Sequence, residues 1–124
     1  MTEAELKVSV TKYLDFLQNL GKLMWFRLNS GDFIEVRGNT RRRIRGCKKG
    51  TADFMIIRID GSLRGLKVPN VTFIELKSKT GKQSTEQGEF QDKVVQFGCG
   101  YYIVRSLKKL EDILWQPPSY IEEV

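Results

Sequence analysis

Residues 71–78, VTFIELKS, combine an apolar strand pattern with two charges on one face. Side chains alternate along a strand, so Glu75 and Lys77 share one face while Ile74 and Leu76 share the other. A buried strand carries apolar side chains at its inward positions, and an unpaired buried charge is costly. Each of the two charges therefore needs a partner. Taken alone, a Glu–Lys pair at a strand end near solvent accounts for them.

The flanking pattern puts this strand in an α/β domain. Leu6, Val10, Tyr13, Leu14 and Leu17 recur at helical spacing and predict an amphipathic helix from residue 3 to about 20. Thr2 is its candidate N-cap, and Gly21 stops it. KLMWFRL predicts a short strand, and FIEV and TRRRIR predict a hairpin around RGN. ADFMIIRI reads as a strand buried on both faces if the sheet is covered on both sides. DGSLRGLKVPN reads as a polar loop before VTFIELKS. Ser84 opens a helix to about Phe97, YYIVRS is a strand, and Leu107–Trp115 is a last short helix before Pro117 and Pro118. PPSYIEEV is either a loose tail or a segment that packs on a partner. The expectation is a mixed β-sheet flanked by helices, one domain over residues 1–124.

Residue usage excludes several chemistries. There is no His, which removes Ser–His and Cys–His nucleophile pairs. Two cysteines without His do not make a usual zinc site. No run of about 18 apolar residues exists, so no membrane span is expected. MTEAELKVSV lacks the basic and apolar regions of a secretory signal, so the expectation is an intracellular, cytoplasmic protein with reduced thiols. Chemistry, if any, falls to carboxylates, Lys and a metal.

The net charge is +6. Arg37, Arg41, Arg42, Arg43, Arg45, Lys48 and Lys49 lie between Val36 and Ala52 with no acid among them. A solvated loop is the plain reading of such a run. Its density and its Arg content point instead to phosphate, which the guanidinium fork binds through two oxygens, and hence to nucleic acid.

Asp53 opens the strand that follows this run. If that strand neighbours VTFIELKS, Asp53 and Glu75 meet, and two carboxylates repel unless a proton or cation lies between them. Mg²⁺ or Mn²⁺ suits oxygen ligands, would bind a scissile phosphate and would acidify a water. Lys77 would position that water or neutralise phosphate charge. The alternative for Asp53 is a turn carboxylate bonded to nearby amides.

GTAD, 21 intervening residues and ELK together resemble the PD-(D/E)XK nuclease superfamily, with Ala52 where the pattern has Pro. GKQSTEQGEFQDKVVQFGCGYYIVRS is similar to its VRR-NUC branch: Gln87 matches the branch's Gln, Phe90 its aromatic, and Gly98 or Gly100 its Gly. WFRLNSG resembles the branch's W-R-x-N-S-G segment. The likeness runs from about Glu3 to Ser106 and implies a restriction-endonuclease-like core. It also implies metal ligation by Asp53, Glu75, the Leu76 backbone carbonyl and Glu5, with Glu3 as the alternative helix carboxylate. Lys77 and Gln87 complete the implied catalytic set, although Gln87 also reads as a helix-capping residue. Arg27 and Asn29 are candidate DNA or site contacts, or simply a strand-surface charge and a turn residue.

The function expected is a Mg²⁺- or Mn²⁺-dependent endodeoxyribonuclease. The resemblance implies branched or Holliday-junction DNA as substrate, a homodimer, and a bacterial or phage-infected host cell. The competing reading is a nucleic-acid-binding module without activity.

Overall fold

The computed structural model describes residues 1–117, so PPSYIEEV from Pro118 onward lies outside the described residues. In chain order the elements are α1 (Glu3–Asn19), β1 (Met24–Arg27), β2 (Asp32–Arg37), β3 (Thr40–Arg45), β4 (Phe54–Leu63), β5 (Leu66–Leu76), α2 (Thr85–Gln96), β6 (Gly100–Val104) and α3 (Leu107–Leu114). The fold is mixed α/β. A four-stranded sheet runs β1-β4-β5-β6, and β2–β3 form a separate two-stranded ribbon.

Local chemistry sets both ends of α1. Thr2 caps it, its side chain accepting from the Glu5 N–H at 3.1 Å. At the other end Gly21 N–H donates to Gln18 O at 2.9 Å and Lys22 N–H to Leu17 O at 3.0 Å. That is a Schellman stop, and Gly21, at φ 74°, takes its left-handed position.

Leu6, Val10, Leu14 and Leu17 of α1 meet Leu110 and Ile113 of α3 over one face of the sheet, against Phe54, Ile56, Ile74, Leu76 and Val104. Trp115 Nε1–H donates to Tyr13 Oη at 2.9 Å and joins the two helices. The opposite face is covered by α2 beside β5 and β6, where Phe90 meets Phe73 edge-on at 5.1 Å. The two-sided burial expected of ADFMIIRI holds only in part. Phe54 and Ile56 are fully buried, Met55 and Ile57 are half-buried, and Ile59 is exposed.

DGSLRGLKVPN is not a loop. β4 and β5 pair through Ser62↔Lys67 and Leu63↔Leu66, with an irregularity between Ile59 and Ser62. Arg64 and Gly65 form the two-residue turn, both at positive φ (52° and 76°). This is the twist-matched hairpin turn, but Arg rarely adopts the left-handed region, so Arg-Gly is a poor sequence signal for it. Pro69 also argues against a strand. It is tolerated because β6 pairs only with Thr72–Leu76, leaving β5 an edge strand at Pro69.

The two legs of the ribbon are closed on each other at its base. Gly31 N–H donates to Cys47 O at 2.8 Å and Gly46 N–H to Gly31 O at 2.8 Å. A Cβ on Gly46 would collide with the backbone carbonyl oxygens of Asn29 and Gly31. Gly46→Ala should therefore destabilise the protein by about 1–3 kcal/mol, read as a lower urea midpoint.

Candidate active site

β4 and β5 are antiparallel with Phe54 opposite Ile74 and Met55 opposite Phe73. The next pair along this register is Asp53 and Glu75, on the face that α2 covers. Ile74 and Leu76 point the other way, into the core. The expected adjacency of the two strands is thus present, and it brings the two carboxylates together.

Each carboxylate has one oxygen engaged by a protein donor. Leu76 N–H donates to Asp53 Oδ2 at 2.7 Å. Gln87 Nε2–H donates to Glu75 Oε1 at 2.8 Å. Glu75 is buried, at 4% exposure, and its Oε2 has no N–H or O–H donor among the described residues. What faces it is Asp53, a second acceptor, so only a shared proton or a cation satisfies the pair. The Glu75 carboxyl is pushed up to about 8, first by burial and then by the Asp53 charge, against the opposing pull of Lys77.

Gln87 serves two functions through the two ends of one amide. Its Oε1 accepts from Ser84 N–H at 2.8 Å while Ser84 Oγ accepts from Gln87 N–H at 3.1 Å, a reciprocal capping box on α2. The cap fixes the amide so that its NH₂ reaches Glu75.

Of the two α1 acids, Glu3 adds the smallest of the contributions that push the Glu75 carboxyl up. Glu5 is engaged locally, its Oε1 accepting from Thr2 Oγ1 at 3.1 Å. Leu76 enters the site through its N–H. The N–H of Lys77 is held by Val104 O at 3.1 Å, across the parallel β5–β6 pair.

Among the described residues no group of three or more His, Cys, Asp or Glu is arranged to hold a metal. What the site does bring together is a pair of carboxylates, Asp53 and Glu75. That suits Mg²⁺ or Mn²⁺, hard cations that keep several waters and use one or two carboxylates together with a substrate phosphate.

The basic run lies on the end of β2, on β3 and on the loop that leads to Asp53, and all seven side chains are exposed. The run has no acid within it, but three of its cations find acids in space. Arg37 pairs with Glu35, Arg43 with Asp32, and Lys49 with Glu86 at 3.8 Å. Arg41, Arg42, Arg45 and Lys48 make no ion pair among the described residues. Arg27 is exposed at the end of β1, and Asn29 holds the ribbon base by accepting from Cys47 N–H at 2.5 Å.

No protein-family model matches the chain, and no curated protein or solved structure does so either.

The folded protein holds the Glu75 proton more tightly than the unfolded chain. This contribution to stability is complete below the ordinary value of 4.5 and is lost as pH rises toward 8. In EDTA, the urea midpoint of the wild type should therefore fall relative to Glu75→Gln between about pH 5 and about pH 8.5. Midpoints that stay parallel would mean that Glu75 ionises as freely folded as unfolded.

Proposed function

We propose that the protein is a metal-dependent DNA endonuclease of the VRR-NUC type, with a restriction-endonuclease-like core. The observation that carries this reading is the buried Oε2 of Glu75, without a donor among the described residues, in a carboxyl that Asp53, Lys77 and Gln87 all act on. A buried carboxylate pair held by dedicated donors is costly to a fold that needs it only for support. It is useful to one that binds a cation there. The mixed sheet between helices is consistent with the architecture the resemblance implies.

A divalent ion at this pair would supply positive charge to a scissile phosphate oxygen and acidify a water for attack on phosphorus. The chain's own residues do the rest. Leu76 N–H holds Asp53, and Gln87 holds Glu75, so the two carboxylates need no reorganisation when substrate arrives. Lys77 offers its ammonium to the water or to the charge that develops on the phosphate. Glu3 adds negative field that favours a cation, taking the part assigned to Glu5 from sequence. Arg41, Arg42, Arg45 and Lys48 contact the DNA backbone, which sets position rather than sequence.

The substrate proposed is branched or junction DNA, and the active form a homodimer whose two-fold symmetry would present one site to each of two strands. The setting proposed is the cytoplasm of a bacterial or phage-infected cell. Among the described residues no helix is long and apolar enough to cross a membrane.

Incubation with Mg²⁺ or Mn²⁺ should cleave a four-way junction faster than linear duplex of the same sequence. Asp53→Asn and Lys77→Ala should each lower the rate about 100-fold or more while DNA binding persists. Wild-type protein that binds the junction but leaves it intact would instead establish a non-catalytic binding module. A fixed cut site on linear duplex would mark a sequence-specific enzyme.

Replacing Arg41, Arg42 and Arg45 together by Gln should reduce the slope of log K against log salt by about 2–3, whereas Arg43→Gln alone should change it by less than about 1. Fluorescence anisotropy over a salt series measures both.

A further inference from the structure

Arg105 follows β6 and lies outside the residues that the spacing and motif arguments single out. Its Nη1 donates to Ser78 O at 2.7 Å and to Gly81 O at 2.7 Å, with Lys79 O at 3.4 Å. These three carbonyls belong to the turn that begins immediately after Lys77. The turn is closed by Gly81 N–H, which reaches Ser78 O at 3.2 Å and Ser78 Oγ at 3.1 Å.

The turn folds back over the lysine. A Cβ built on Gly81 would stand 3.5 Å from Lys77 Cδ, so this side of the turn faces the aliphatic stem of the lysine. The Lys77 main chain is already held by Val104, the residue before Arg105. Extended by one residue, the β5–β6 register sets Lys77 beside Arg105. Two cations side by side on neighbouring strands repel. The guanidinium is drawn onto the turn carbonyls instead, which charge-assisted bonds favour and which its planar fork fits.

The far end of the segment is anchored separately. Gln83 Nε2–H donates to Gln91 Oε1 at 2.8 Å and to Tyr101 Oη at 3.3 Å, just before the Ser84–Gln87 box. Residues 75–87 thus form a closed frame, with Glu75 and Gln87 joined at one side and the turn over Lys77 at the other.

We propose that Arg105 is a positioning residue for Lys77: it pins the turn that confines the lysine stem and so aims the ammonium at the carboxylate pair. The catalytic consequence rests on the nuclease reading, but the confinement of Lys77 does not.

The test uses the full chain with Arg105→Ala and Arg105→Lys. In metal-free protein, acetylation of Lys77 by acetic anhydride, followed by mass spectrometry, should be severalfold faster in Arg105→Ala. Lys67, on the distant β4–β5 hairpin, should label as in wild type. Amide exchange over Ser78–Gly81 should rise in parallel, with thermal stability little changed because Arg105 is exposed.

In junction cleavage, kcat should fall by roughly 10- to 100-fold with KM nearly constant, the signature of a misplaced group rather than lost binding. Arg105→Lys, which keeps a cation with donors, should recover part of the kcat and part of the protection of Lys77. Unchanged Lys77 labelling in Arg105→Ala overturns the proposal, whether or not the protein cuts DNA. A kcat loss with unchanged labelling overturns it as well, because Arg105 would then act by another route. If wild type does not cut DNA while the labelling change appears, the nuclease reading fails and the positioning of Lys77 stands.

Discussion

The Glu75 carboxylate is buried with a donor on one oxygen and another carboxylate facing the other, and the arrangement around it follows from that conflict. Gln87 satisfies Oε1, and to do so the amide must be presented at a fixed distance from β5. The capping box provides this, because a residue that closes the first turn of α2 has little rotamer freedom left. Asp53 is held by the Leu76 N–H one position along the same strand. Burial, together with the repulsion that remains between the carboxylates, raises the proton affinity of Glu75.

The sheet explains why such a pair is tolerated. β5 has two different faces near its C-terminal end: Ile74 and Leu76 enter the α1–α3 core, while Phe73 and Glu75 face α2. On the first face Ile74 and Leu76 are almost wholly buried in that core. Phe90, Phe73 and Tyr101 complete an aromatic layer beside the carboxylates, with Phe90 and Tyr101 rings 6.2 Å apart. That layer keeps the surroundings of Glu75 apolar, and burial is the first cause of its raised proton affinity. The parallel pairing of β5 with β6 adds one more consequence, since it brings the segment after β6, and Arg105, to the turn that follows Lys77.

Charge is distributed less simply than the linear run of cations suggests. Cross-strand register sets Asp32 and Glu35 on β2 opposite β3, and α2 brings Glu86 to the loop at Lys49. Exposed ion pairs of this kind contribute little to stability. They do lower the local positive potential, and among the described residues the cations of the run without an ion pair are Arg41, Arg42, Arg45 and Lys48.

By itself the sequence determined the features that depend on neighbours along the chain. The amphipathic face of α1, its cap and its glycine stop, the capping box at Ser84 and the alternation that puts Glu75 and Lys77 on one face are all local, and all are present in the fold. The meeting of Asp53 with Glu75 was legible only as a conditional, because it needs two strands to be neighbours in one particular register. Tertiary structure alone decided the long β4–β5 hairpin, where a neighbouring strand's reach excuses Pro69 and an arginine takes a glycine-like conformation. It also decided that Arg105 braces the turn beside Lys77. These outcomes turn on distances between segments far apart in the chain, and no pattern within either segment encodes them.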